Sequence, residues 1–177
     1  VSVRLSLLAL LDQGPCYGYQ LRTELDWRTG GTGPINVGQI YNTLDRLERD
    51  KLVRKTGENN YYEITDAGRA EVARWFATAS PAADLPAKLA LASTLPGVDV
   101  AAIIRAQRPA RRLGTIAQHP TNSAELAAAI LSVASRAAAR SEAALLDEVE
   151  QLLVTAPAPT PLSTEVPKRG RPAKASA

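Results

Sequence analysis

Cysteine and histidine occur once each in 177 residues, and no apolar run is long enough to cross a bilayer. Each scarcity closes off a class of function. The lone thiol, Cys16, cannot close an intramolecular disulfide or build a cysteine zinc cluster, and it fits a reducing compartment. A redox-sensing role for Cys16 competes with a plainer one, a small buried residue at a helix start. The single imidazole, His119, stands beside Pro120 where a helix ends. No carboxylate or cysteine lies at ligand spacing from it, and no nucleophile signature appears elsewhere. The chain is therefore expected not to be an enzyme and to need no cofactor and no metal. Residues 5–11 fall well short of the ~18 apolar residues a span requires and are too weakly flanked for a signal peptide. A cytoplasmic protein without a membrane partner is expected. The glycine-rich Thr29-Gly-Gly-Thr-Gly-Pro34 lacks the Gly-Lys-Ser/Thr ending of a phosphate-cradling loop, so it reads as a turn, with nucleotide binding a remote alternative.

An excess of one charge is also missing from most of the chain. Residues 1–76 carry ten Lys/Arg against ten Asp/Glu, residues 77–164 seven against seven, and residues 165–177 four against one. The net +3 thus sits in a basic tail suited to a polyanion, unless that tail only solubilises the chain end.

What is present is organised around Asn36-Val-Gly-Gln-Ile-Tyr-Asn-Thr-Leu-Asp-Arg-Leu-Glu-Arg-Asp-Lys-Leu52. Ile40, Leu44 and Leu47 recur at helical spacing and predict a core-facing stripe, with Asn36 as the side-chain cap. The opposite face carries Gln39, Asn42, Thr43, Arg46 and Arg49. Gly38, Gln39, Tyr41 and Asn42, close to the cap, are small, amide or phenolic groups able to bond base edges and phosphates if this end entered a major groove. An ordinary solvated amphipathic helix fits the stretch alone about as well.

Its surroundings favour the first reading. Residues 3–11 predict an apolar helix broken by Gly14-Pro15. Residues 16–27 resume helical spacing through Tyr17, Leu21 and Leu25, with Tyr19 off the stripe. After the central helix, Leu52-Val-Arg-Lys and Tyr61-Tyr-Glu-Ile64 flank a polar turn and predict a hairpin. A further helix, residues 69–77, begins behind Thr65 or Asp66. Helix, helix, capped helix, hairpin, helix is the order of a winged helix-turn-helix domain, the hairpin being the wing.

The same residues resemble the PadR family of bacterial transcriptional regulators. Leu7-Leu-Ala-Leu-Leu, Gly14-Pro-Cys-Tyr-Gly-Tyr-Gln-Leu21, Gly38-Gln-Ile-Tyr41, Leu44-Asp-Arg-Leu-Glu48, Leu52-Val53 and Tyr61-Tyr-Glu-Ile-Thr-Asp-Ala-Gly68 occur in register over residues 3–76. The resemblance implies operator binding as a homodimer, usually as a repressor, through the third helix and the wing. It also implies an unidentified small-molecule effector as a partner, with Trp27 and Trp75 candidate pocket residues, although such tryptophans are more often core. The chain departs from the family at Tyr17, commonly histidine there, and at Asn42, commonly proline or arginine, and its wing is short.

Residues 84–154 form a second region, with helices expected behind Asp84 and Asp99 and a long one over residues 124–153 capped by Asn122 or Ser123. Leu126, Ile130, Val133, Leu145, Val149 and Leu152 give the long helix an apolar stripe. A second copy of the chain, meeting it together with the first helix, is the economical cover; a monomeric bundle is the alternative. The region also resembles the helical C-terminal dimerisation domain of the same family.

From Thr155 a proline-rich stretch leads to Pro167-Lys-Arg-Gly-Arg-Pro172, which resembles the AT-hook, a minor-groove motif. Gly170 would let the backbone approach the groove floor while Arg169 and Arg171 seek its negative potential. The fold expected is mainly α with a small β-hairpin wing. Residues 1–78 form the winged domain, 84–154 a helical dimerisation domain, and 155–177 a disordered proline-rich linker with its basic tail. Candidate contacts to double-stranded DNA are Tyr19, Asn36, Gly38, Gln39, Tyr41, Asn42 and Arg46 on the helices, Lys55, Asn59 and Asn60 on the wing, and Lys168, Arg169, Gly170 and Arg171 in the tail. Two functions remain open: a promoter-specific regulator, or an architectural or protein-interaction module without promoter choice. Preference for one palindromic site over random DNA would separate them.

Overall fold

The first helix, α1 (Val3–Leu11), is apolar almost all round, broken by Arg4 and Ser6, and every residue from Ser6 to Leu11 is buried. A helix hydrophobic all round belongs inside a core. The computed structural model, which describes residues 2–31, 36–56, 61–108 and 121–163, wraps α1 with α2 (Gly18–Arg28), α3 (Val37–Arg49), α4 (Asp66–Ala77) and a two-stranded wing. Of the first helix, expected to share in covering the long helix, residues Leu7 to Leu11 are buried within their own domain.

β1 (Val53–Thr56) and β2 (Tyr61–Ile64) pair antiparallel, with Val53 opposite Ile64 and Thr56 opposite Tyr61. Cys16 adds a one-residue third rung. Its N–H donates to the Tyr62 carbonyl at 3.1 Å, and its carbonyl accepts from the Tyr62 N–H at 2.8 Å. The thiol is buried, and burial, followed by the Glu24 carboxylate, pushes its pKa up to about 12. Such a thiol is inert. At the start of α4, Thr65 accepts the Gly68 N–H at 3.2 Å, and a Cβ on Gly68 would stand 2.3 Å from the Leu52 carbonyl oxygen. Only glycine lets the helix approach the wing so closely.

The second region shares α5 (Leu85–Thr94) with the first. Leu91 and Leu95 enter the α1 core, whereas Leu85, Leu89 and Ala92 pack with Ile103 and Ile104 of α6 (Val100–Gln107) and Leu146 of α7 (Ser123–Val154). Lys88, fully buried on α5, donates to the carbonyls of Trp75 at 2.6 Å and Thr78 at 2.8 Å and to the Ser80 hydroxyl at 3.1 Å. It adds a donor to the Trp75 carbonyl, which otherwise takes only the long bonds from Thr78, and one to the Thr78 carbonyl past the end of α4. Asp84 does not cap α5, whereas Asp99 accepts from Ala102 and Asn122 from Glu125.

Residues 160–163, within the stretch expected as a disordered linker, are docked. Arg28 donates to the carbonyls of Thr160 at 2.9 Å and Pro161 at 3.3 Å, the Thr160 N–H donates to the Thr94 carbonyl at 3.1 Å, and the Ser163 N–H donates to Glu24 at 2.9 Å. Prolines stop α7 and keep the strand extended, which leaves its backbone polar groups open to side chains on α2.

Candidate nucleic-acid interface

α3 divides cleanly into two faces. Ile40, Leu44 and Leu47 are 0% exposed, each contributing about 1.5–3 kcal/mol of burial. Asn36 caps the start, accepting the Gly38 N–H at 2.9 Å. Lys51, at φ 62°, turns the chain out of the helix while the N–H groups of Lys51 and Leu52 bond the Glu48 and Leu47 carbonyls. On the outer face Gln39, Asn42 and Arg46 are exposed, and their side chains form no hydrogen bond or ion pair to any other described residue. Among the described residues these three side chains are left without a partner, whereas Thr43 turns back to donate to the Gln39 carbonyl at 2.7 Å.

Two aromatic contacts at the first turn of α2 orient α3 and the wing. Tyr17, the N-cap residue of α2, packs its ring 4.5 Å from that of Tyr61 on β2, the two hydroxyls 3.2 Å apart. That hydrogen bond, ahead of desolvation, raises the Tyr17 phenol to about 12. The next residue, Gly18, lies under the Tyr41 ring: a Cβ there would sit 2.7 Å from Cε1 and 2.8 Å from Cζ. Tyr41 remains 41% exposed and Tyr19 49% exposed, so both keep surface available to a ligand.

The wing's cations are engaged. Lys55 reaches Glu48 at 2.8 Å and Asp45 at 3.7 Å, both on α3, and its ammonium lies 5.4 Å from the Tyr62 ring centroid. The Glu48 hydrogen bond holds the Lys55 pKa above its usual value. Arg54 pairs with Glu63 across the hairpin at 2.9 Å. Lys55 therefore fastens the wing to α3, and reaching a phosphate requires exchanging one anionic partner for another.

Residues 7–74 match the family model described as Transcriptional regulator PadR-like family. Over these residues, most of the winged domain, the chain is similar to that family. Probable transcriptional regulator Rv1176c of Mycobacterium tuberculosis (strain ATCC 25618 / H37Rv) is 36% identical over 78 residues, 40% of this chain and 41% of that protein. The chain thus spans about two fifths of the length of the curated relative it matches. Two crystal structures of Bacillus subtilis PadR are also similar. The one in complex with operator DNA aligns at 17% identity over 86% of this chain and 97% of that one. The other aligns at 16% over 87% and 96%, and the TM-score is 0.37 for each.

Within the winged domain the described contact residues fall on three elements, with Lys55 on β1. Asn36, Gly38, Gln39, Tyr41, Asn42 and Arg46 share α3, and Tyr19 sits one residue past the Gly18–Tyr41 contact. Asn59 and Asn60 of the wing tip, and Lys168, Arg169, Gly170 and Arg171 of the tail, lie outside the described residues, as does His119. The Tyr17–Tyr61 pair escaped sequence reasoning because its members are 44 residues apart and no local spacing links them. Among the described residues no group of three His, Cys, Asp or Glu is placed to hold a metal, and no helix is long and apolar enough to cross a membrane.

The stripe expected for dimerisation splits in two. Leu145 and Val149 pack against the second core, while Leu126, Ile130 and Val133 are 50%, 59% and 52% exposed. Leu152 is 70% exposed. The lower half of α7 is fixed to the body by Gln107 bonding Glu142 at 2.6 Å and by Arg108 pairing with Asp147 at 2.8 Å and Glu150 at 2.7 Å. Trp75 stacks on Phe76 with centroids 4.9 Å apart, in a core position.

Proposed function

We propose that the chain is a promoter-specific transcriptional regulator, acting as a repressor, that binds an inverted-repeat operator as a homodimer. The observation that carries this reading is the outer face of α3, where Gln39, Asn42 and Arg46 present amide and guanidinium groups that no described residue uses. Exposed, unused donors and acceptors at that density suit base edges, which are read by such groups in the major groove. The uncovered Leu126, Ile130 and Val133 support a second copy as the partner of α7, and two-fold pairing places two α3 helices about 34 Å apart on one side of B-DNA. The basic run at Lys168, Arg169, Gly170 and Arg171 serves as a minor-groove arm on A·T-rich sequence.

A neutral apolar effector is the ligand class for a cavity of about 420 Å³ between α5, α7 and residues 156–160. Trp27, Leu89, Leu145, Val149, Leu153 and Pro157 line it, and no charged side chain does. Cytoplasmic location accompanies this function. Selecting duplexes from a random pool with the purified chain tests the reading. A palindrome with half-site centres one helical turn apart is expected, and Gln39→Ala should lose about 1–3 kcal/mol on it. Enrichment of no sequence, with tight binding to all duplexes, would favour the architectural module instead.

A further inference from the structure

The segment after α7 is held by hydrogen bonds that a free tether would not make. Along α2, Arg28 meets Thr160 and Pro161, whereas Glu24 and Gln20 meet Ser163, the Gln20 amide donating to the Ser163 carbonyl at 2.6 Å. The strand therefore runs antiparallel to α2, from its C-terminal end toward its start. Leu162 packs against the first core, and its Cδ1 lies 3.9 Å from where a Cβ on Gly14 would stand. Arg28 is 2% exposed and also donates to Glu24 at 2.8 Å and to the Thr94 carbonyl at 2.8 Å. Withdrawal of the strand would strip acceptors from a buried guanidinium, and buried charges tolerate that poorly.

We propose that Gln20, Glu24 and Arg28 form a built dock for the chain's own C-terminal arm, and that the dock delivers the basic residues Lys168, Arg169, Arg171 and Lys174 to the α3 side of their own winged domain. The delivery rests on the DNA-binding reading above; the dock does not. Ser163 is held by Gln20, which leaves α2 about half a turn round the helix from the Gly18 that lies under Tyr41, so the arm must pass round the start of α2 to reach α3. From Ser163 the first basic residue is five residues on, a reach of about 17 Å at most. Measured from the end of α7, the same residue is fourteen on. Effective concentration falls roughly as the −3/2 power of tether length, so docking raises it about fivefold for sites near α3 and withdraws the arm from sites far beyond. The arm serves the flank of its own half-site.

Placing an insertion on either side of the dock tests this in the full chain. Six Gly/Ser residues after Val154 should leave affinity for a duplex selected by the wild type unchanged, because Ser163 still sets the origin. The same insertion after Ser163 should weaken binding about threefold. Thr160→Pro with Ser163→Pro removes two strand N–H donors without touching α2, and it should cost about fivefold. That loss should vanish when Lys168, Arg169, Arg171 and Lys174 are all replaced by Gln. Hydrogen exchange at the Ser163 amide reports the dock directly, and slow exchange is expected. Equal effects from the two insertions would overturn the delivery, and exchange at the rate of an open peptide would overturn the dock itself. Failure of the wild type to select any duplex would remove the DNA-binding reading and the delivery together, while Ser163 protection would still decide the dock.

Discussion

α3 and the upper half of α7 carry apolar residues at the same three- and four-residue spacing, yet Ile40, Leu44 and Leu47 are 0% exposed while Leu126, Ile130 and Val133 are at least half exposed. The difference lies in what faces them. α3 lies against α1, whose five consecutive buried apolar residues, Leu7 to Leu11, receive such faces. The upper half of α7 has no comparable neighbour among the described residues, whereas its lower half, with Leu146 buried, finds α5 and α6. Spacing fixes which side of a helix is apolar; the presence of a second apolar surface decides whether the chain covers it alone. An uncovered row of this kind marks an interaction site more often than an accident.

Replacing Leu126, Ile130 and Val133 together by Gln tests that contrast and should give the largest effect. If a second copy covers the row, each side chain contributes about 1.5–3 kcal/mol and the triple variant should sediment as a folded monomer where the wild type is a dimer. A stable wild-type monomer at micromolar concentration would show that the row has another use. The corresponding change on α3, Ile40→Ala, should instead unfold the winged domain by about 2–5 kcal/mol without altering any oligomer equilibrium.

Gly68→Ala probes how tightly the winged domain is closed. The new methyl would meet the backbone oxygen of Leu52 at 2.3 Å and Ile64 Cγ1 at 2.6 Å, so backbone must shift. A loss of about 3 kcal/mol in urea unfolding is expected. A loss under 0.5 kcal/mol would mean that the contact between α4 and the wing is looser than its geometry.

Lys88 joins the two regions, and its replacement by Met should cost about 1–3 kcal/mol by removing the donor to the part-buried Thr78 carbonyl and Ser80 hydroxyl and one of the donors to the Trp75 carbonyl. Burial pulls its pKa from 10.5 to about 8. Between those values the unfolded chain holds a proton that the folded chain has released, so wild-type stability should rise with pH across about 8 to 10.5. As pH falls through 8 that gain is lost. Lys88→Met removes the dependence, so the wild type should pull ahead of the variant as pH rises through this window. Cys16 ionises alike in both proteins and cancels in the difference. Parallel stability curves would mean that the ammonium keeps its ordinary affinity for protons.

The winged domain was legible in the sequence because each device in it is local. Asn36 caps within two residues, Thr65 within three, and the apolar positions of α3 repeat within a turn or two. What escaped was set by partners far along the chain. The Cys16 rung needs Tyr62, Lys55 finds Glu48 only once the wing folds onto α3, and nothing in Thr155-Ala-Pro-Ala-Pro announces that Arg28 and Glu24 will capture the residues that follow. Proline-rich composition signals where α7 must stop, but the open backbone carbonyls that follow are also what a buried arginine can hold.

The smallest expected effect concerns how α2 aims α3. An alanine Cβ at position 18 would overlap the Tyr41 ring, which is the mobile end of a half-exposed side chain, so the ring can swing away with little loss of stability. The outer face of α3 keeps its residues, but Tyr41 leaves its seat and the helix loses one of the contacts that fix its angle. Gly18→Ala should therefore leave the urea midpoint nearly unchanged and weaken binding to a selected duplex by about 1 kcal/mol, roughly fivefold. The route through Tyr41 makes a sharper demand. In a Tyr41→Ala background there is no ring to displace, so adding Gly18→Ala should do nothing further, and the double-mutant cycle should return a coupling energy close to the whole single-mutant effect. Independent, additive losses would place the action of Gly18 elsewhere on the start of α2, with Tyr41 then acting through its own exposed edge.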